Sequence, residues 1–545
     1  MTVQPQNWPG FSGGLNLRRV ALGDGIYALD AMNVTFTVDG GVRSRVGYGT
    51  VGTGAAGNSF NAITGFEKRN GTRQIIASQG NFLQAYSTAG VTLGNPGKIT
   101  GTNGNYTFAR YGTAVVDSLY AANGVDTMQR WDGAAWANVS SLGDYNVNGG
   151  PPPNGKILSS TTFDYRLAMA NYPGSSGVFA SGNSPSTVRF SDPGAPHAWL
   201  LNNYIEVNPG DGEAITALAS FGQQLFVFKR NSMHVVYGNS VSGGTVTWNW
   251  RTLVDSVGCV GPDAITVGPD GVYFVHDSGV YVTKGGAPEL LSGPVAPIFR
   301  GRPPVDWLGG VVSRNYIATT SCQWHEGELH ISYPADGSST HSRVLVYHTD
   351  FQWWAIGDQR YKAMAVAPIG TAGQNELVAT LDDSSSPRFV HQNIAFTTDS
   401  GVTIKSRWRS DWTDFGISQR KTSNGLRVWG DGSVWVGQAA DFTPASQPRL
   451  CEFASGADTW GPGAPDVLQY APVVAGAAQT WGPVAGVTDK WGDGAHVSSS
   501  YARAGARGTV YSLYLSSANT LPWAVYRATL QIRGVAPVTT ITEEE

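Results

Sequence analysis

Three stretches of this chain carry residue types whose spacing suggests chemistry. His325-Glu326-Gly327-Glu328-Leu329-His330 is spelled much like a zinc-protease helix, in which two imidazoles one turn apart hold the metal and a glutamate activates water. The second histidine stands five residues after the first instead of four, and the segment reads as a turn entering a strand. No helix face then converges two imidazoles, so no metal is expected. Gly150 to Lys156 matches the phosphate loop GxxxxGK. Ile157 stands where a Ser or Thr would ligate Mg²⁺, and Pro151, Pro152 and Pro153 lack the N–H groups that cradle phosphate, so this reads as a linker. Asp382, Asp383, Asp411 and Asp414 could supply the acid and nucleophile of a glycosidase. Asp382-Asp383 runs into Ser384-Ser385-Ser386-Pro387, which has the composition of a polar hairpin turn. The Ser-x-Asp-x-Gly-x-x-Trp turns of sialidase-type propellers are missing. The chain is read as having no enzymatic activity and no cofactor.

The elements that would position such residues are strands. Short β patterns recur roughly every fifty residues between Ile63 and His391, without a convincing helix between them. Blocks open at Ala62, Phe108, Thr162, Ala214, Ala264, Tyr316 and Tyr361, each with an apolar run, a turn and a second run rich in β-branched and aromatic residues. Asn70-Gly71, Asn123-Gly124 and Asp270-Gly271 sit between runs, where hairpin turns favour positive φ. An all-β chain with this period is expected to form a β-propeller of about seven blades, within a range of six to eight.

Composition agrees. Gly accounts for 70 of 545 residues, aromatics for 11% and charged residues for only 14%, which suits tight turns and broad buried or inter-subunit surfaces. A net charge of −4 gives no global basic field to hold nucleic acid by its phosphates. Cys259, Cys322 and Cys451 are odd in number and far apart, as expected of reduced, buried thiols in a protein folded in a cytosol. The N-terminus lacks the basic and apolar regions of a signal peptide, and no apolar run is long enough for a membrane span.

The ends depart from the repeat. Residues 1–58 read as an N-terminal arm with a hairpin, Ala31 to Val38 and Val42 to Tyr48, around Asp39-Gly40-Gly41. The propeller is assigned to 59–396. Residues 397–545 carry longer strands that suggest a β-sandwich-like domain, interrupted at about 440–505 by an Ala/Gly/Pro/Trp-rich insertion with Trp460, Trp481 and Trp491.

The segments GGLNLRRVALGDGIYALDAMNVTFTVDGGVRSRVGYG, LFVFKRNSMHVVYG, DSVGCVGPDAITVGPDGVYFVHDSGVYV, RVLVYHTDFQWWAI and IKSRWRSDWTDFGISQRK together resemble virion proteins of tailed bacteriophages. The likeness is to the tail nozzles of podoviruses and the distal-tail or minor tail propellers of long-tailed phages, and it is diffuse, covering most of the chain without a diagnostic catalytic signature. It implies a multicopy structural subunit at the tail tip, located in the virion, folded in the host cytoplasm and released by lysis. Such a subunit would form a ring or symmetric oligomer around the axis of DNA ejection. Its partners would be copies of itself and other tail proteins, with transient contact to exiting DNA and contact to a host receptor left open. The alternative is a virion-anchored adhesin that reads host glycan or protein through propeller loops.

Ring assembly calls for aromatic and charged surface outside the propeller core. Trp460, Trp481 and Trp491 are candidates for a subunit interface, or for glycan stacking under the adhesin reading. Arg407, Arg409, Arg420 and Lys421 form the densest cationic stretch, and alternation puts Lys405, Arg407 and Arg409 on one strand face. A protein interface is favoured over DNA, because strong cation sites in a lumen would retard passing DNA.

Overall fold

The computed structural model describes residues 4–18, 25–98, 104–112, 117–139, 155–161, 165–172, 184–199, 203–238, 248–304, 307, 309–370, 374–417, 419–441, 449–452, 498–502, 506–517 and 522–534. Apolar runs separated by two-residue turns fold as antiparallel hairpins, and the hairpins stack into four-stranded units. Between Ser321–His325 and Glu328–Pro334 the turn is Glu326-Gly327, both with positive φ (45° and 84°), the geometry of a tight hairpin.

Five sheets have four strands each, spanning 60–98, 107–138, 157–206, 215–254 and 265–290. A sixth four-strand run, Ser321–His325 to Trp354–Gly357, opens a nine-stranded sheet. A seventh begins at Tyr361–Ile369. The first strands of the units, Phe60–Glu67, Thr107–Gly112, Ile157–Thr161, Ile215–Phe221, Ile265–Gly268, Ser321–His325 and Tyr361–Ile369, pack side by side in that order, and the last packs on the first. All of them line one central channel of about 340 Å³. This closed circuit is a β-propeller.

The second strand of each unit is buried on both faces along most of its length. Leu225 and Val227 cluster with Val188 and Phe190 of the third unit, while Phe228 meets the ring of Phe274 in the fifth, 4.9 Å between centroids. Each such side chain contributes about 1.5–3 kcal/mol of burial.

The ring closes through the N-terminus. The last unit takes its fourth strand from Tyr48–Thr53, antiparallel to Arg388–Gln392. Glycine is required here by close approach: a Cβ on Gly52 would lie 2.3 Å from the Phe389 ring and one on Gly49 2.4 Å from Phe396. The expected boundary after residue 58 therefore needs correction, because the N-terminal segment supplies a ring strand. The boundary at 397 also moves, since Thr398–Asp399 and Val402–Thr403 join the sheet of the last unit.

A second body is a sandwich of two sheets. One consists of Ala28–Met32, Ser406–Ser410, Tyr511–Ser517, Ser433–Ala440 and Arg449–Glu452. The other holds Gln4–Asn7, the hairpin Val34–Phe36 and Val42–Ser44, Lys421–Asp431, Ala524–Gly534, Ser498–Ala502 and Ala506–Gly508. Trp408, Val434, Val436, Leu513 and Leu515 from the first join Leu426, Val428, Val525 and Leu530 from the second in one buried cluster. The C-terminal strands thus form a sandwich only together with N-terminal ones. The two bodies share a sheet, because Ala28–Met32 pairs parallel with Trp354–Gly357 of the sixth unit (Met32 beside Ile356) and antiparallel with Ser406–Ser410.

Asn33 pins that seam. It is 1% exposed, has φ 55°, and separates the bridging strand from the hairpin. Its Nδ2 donates to the carbonyl of Lys405 (2.8 Å), and its Oδ1 accepts from Arg45 Nε (2.9 Å) and the Asp358 N–H (3.2 Å). Asparagine tolerates this left-handed conformation better than most residues. Arg45 also grips Asp399 with both terminal nitrogens (2.8 and 2.6 Å). Burial opposes its charge, but the bonds and field of Asp399 outweigh that and raise its pKa.

Candidate functional site

The strand Ser406–Ser410 alternates as its sequence implies: Ser406, Trp408 and Ser410 are buried, and Arg407 and Arg409 turn to the outer face of the sandwich. Register builds a row on that face. Arg407 lies opposite Ser516, Ser516 opposite Trp435, and Trp435 opposite Leu450, so the row crosses four strands. Beside it Arg409 faces Tyr514, which faces Gly437. Trp435 is 40% and Leu450 41% exposed, large apolar groups open to solvent on a regular sheet. Trp, Tyr and Arg are the residue types that dominate binding energy at protein interfaces.

The two arginines are positioned by their own chain. Arg407 Nε donates to Asp30 Oδ2 on the bridging strand. The Arg409 guanidinium lies 5.3 Å from the ring centre of buried Trp412. Arg420 is exposed. Lys421 corrects the expectation of an interface cation: it is fully buried, and its Nζ donates to the carbonyls of Ile417 and Gln419 (the latter 3.1 Å). Burial lowers its pKa, with Asp414 and Asp441 acting in the opposite sense. Trp460, Trp481 and Trp491 lie outside the described residues. Trp435 and Leu450 are the exposed apolar residues that join the two arginines on the sheet. The Val434-Trp435-Val436 alternation marks Trp435 as outward-facing, but only the register reveals its neighbours.

The other candidate chemistries fall on separate elements. His325 and His330 stand on the two strands of a hairpin, and among the described residues no group of three His, Cys, Asp or Glu is placed to hold a metal. Gly150 to Asn154 lie outside the described residues, and Lys156 sits at the start of an innermost ring strand. Asp383 Oδ1 accepts from the Ser385 N–H (3.0 Å), the Ser385 hydroxyl (2.6 Å) and the Ser386 N–H (3.3 Å), a side-chain turn in the ring, while Asp411 is buried in the sandwich. Gly10-Phe11-Ser12-Gly13-Gly14, which the sequence reading passes over, has the spelling of a nucleophile elbow, but no strand-to-helix turn is built there. Asp263 opens on the central channel. Its side chain is exposed to the channel, and the protein surrounding it there raises its carboxyl to about 6, with Lys156 pulling the other way. The channel has the volume of a small-molecule pocket.

No family model and no curated protein matches this chain. Among solved structures it is similar to BBS1N from a complex with ARL6DN, at 12% identity and a TM-score of 0.39 over 64% of this chain and 98% of that one. It is similar to Raptor of Chaetomium thermophilum, at 11% identity and a TM-score of 0.38 over 64% of this chain and 29% of the other. A third similarity is to PorZ of Porphyromonas gingivalis, at 14% identity and a TM-score of 0.33 over 67% of this chain and 42% of that chain. None of the three is a phage tail protein.

Proposed function

We propose that this chain is a structural subunit of a bacteriophage tail, at the distal tail, nozzle or tail tip. It assembles with copies of itself around the DNA exit axis and supports neighbouring tail proteins. The observation that carries the assembly half of this reading is the exposed row of Arg407, Trp435 and Leu450 with Arg409 and Tyr514, on a sheet continuous with the ring. A contact made on that face acts on the whole molecule, because the sheet runs unbroken into the sixth unit. The tail setting is supported by the segments quoted above that resemble tail propellers. Exiting DNA would pass along the axis of the assembly, since the channel of each subunit is only about 340 Å³.

Two measurements test the reading. Immunogold microscopy of virions, with copy number by quantitative mass spectrometry, should place several copies at the distal tail; absence from particles ends the tail assignment. Light scattering of the full chain should show an oligomer that Trp435→Ala with Leu450→Ala reduces to monomers, with thermal stability unchanged. A face that binds host saccharide through its aromatic rings, as the adhesin alternative requires, would leave the oligomer intact and lose glycan binding in the same variant.

A further inference from the structure

A cavity of about 250 Å³ opens between the sixth unit, the N-terminal hairpin and the loop that follows Arg388–Gln392. One hairpin supplies its two histidines and two glutamates. His325 lies directly opposite Glu328, and His330 follows Glu328 by two along the strand, so all three share a face. Val346, Trp353, Ala355 and Ile394 supply apolar wall.

Two side chains of the lining are buried with an atom left unpartnered. His330 is 4% exposed and its Nδ1 has no hydrogen bond; Gln359 is 3% exposed and its Oε1 has none. Native structures leave few buried polar atoms in this state. His330 Nε2 sits 3.3 Å from Glu328 Oε2. In the tautomer with its hydrogen on Nε2, facing Glu328, the ring presents a lone pair at Nδ1. Glu328 is a carboxylate: burial opposes its ionisation, but the His330 bond and the fields of His348 and Arg43 hold its pKa below the usual value.

Glu328 and the two residues with unpartnered acceptors stand together in the cavity wall, and the balance of charge matches. Arg45 is neutralised by Asp399 (2.6 Å) and Asp358 (3.3 Å), which leaves Arg43 facing Glu326 and Glu328. A metal ion does not suit the site, since no three ligating groups converge among the described residues. We infer that this cavity binds an ammonium or guanidinium group, whose N–H donors satisfy Glu328, His330 Nδ1 and Gln359 Oε1. The group belongs either to a free organic cation or to a Lys or Arg side chain of a partner protein. The inference holds whether or not the chain is a tail subunit.

The test titrates the full chain at pH 8 with ethylguanidinium chloride, following the His330 ring resonances, against sodium chloride at equal ionic strength. Expected is a saturable shift with the guanidinium alone, weakened about tenfold or more in Glu328→Gln, as loss of a charged hydrogen bond predicts. Arg43→Glu removes the opposing charge at the exposed mouth and should tighten binding severalfold, a check that does not depend on altering the buried hairpin. Tighter binding of an arginine-containing hexapeptide than of ethylguanidinium would identify the source as a partner side chain, and equal binding would identify a free cation. No shift in the wild type, or equal affinity in wild type, Glu328→Gln and Arg43→Glu, overturns the inference.

Discussion

Around the first, second, third and seventh units the buried side chains fall into separate clusters, each shared by two neighbouring sheets. The fourth, fifth and sixth units instead contribute to a single cluster with the sandwich, from Phe228, Phe274 and Ile331 to Trp408 and Leu530. One side of the ring is thus a chain of small local cores, and the other is half of a larger core. The difference lies in what covers the sheets. The first, second, third and seventh units bury their residues mostly pairwise, whereas the sixth unit is extended sideways by the bridging strand Ala28–Met32 and so merges its interior, with those of the fourth and fifth, into a core shared with a second body.

That contrast can be broken most directly in the shared core. Trp408→Ala should cost about 3–5 kcal/mol, and hydrogen exchange should rise together in the sandwich and in the fourth, fifth and sixth units. Ile75→Ala, in the cluster between the first and last units, should cost about 2–4 kcal/mol and raise exchange in those two units alone. Equal spreading from both variants would erase the distinction. Asn33→Ala removes three hydrogen bonds at the seam and leaves a residue less suited to φ 55°; denaturant unfolding should show a loss of about 2–3 kcal/mol and two transitions in place of one.

The smallest effect concerns the channel. Asp263 has its carboxyl raised from 3.8 to about 6, so between those values the folded chain holds a proton that the unfolded chain releases. Stability should fall as pH rises through that window. Asp263→Asn should be more stable than wild type above about pH 6 and equal to it below about pH 4. Parallel stability–pH curves for the two proteins would show that the carboxylate is as well solvated in the channel as in the unfolded chain.

Much of the ring was legible in the sequence because its determinants are local. The fifty-residue period, the turn glycines and runs such as Leu225 to Phe228 mark hairpins wherever they end up. The closing strand was not legible. Tyr48–Thr53 reads YGTVGT, a glycine-rich stretch with little strand preference, and what makes it a strand is Arg388–Gln392, which no local signal connects to it. The sandwich was visible from its C-terminal strands but not its N-terminal half, for the same reason. At the candidate interface, alternation placed Arg407 and Arg409 correctly on one face. Lys421 escaped the same logic because carbonyls of the preceding turn draw its ammonium inward, and a lysine in a polar stretch gives no sign of that.

Closure of the ring by Tyr48–Thr53 also sets an order of events on the ribosome. The strand emerges early, and its partner Arg388–Gln392 follows only after most of the ring has been synthesised, on the order of half a minute later at ordinary elongation rates. Until then the nascent chain carries an unpaired β-strand beside a growing stack of finished hairpins, whose free edges are themselves templates for pairing. Gly49 and Gly52 give that waiting strand little side chain with which to form a wrong partnership, so the residues that let it fit against Phe396 and Phe389 at the end also keep it unreactive at the start.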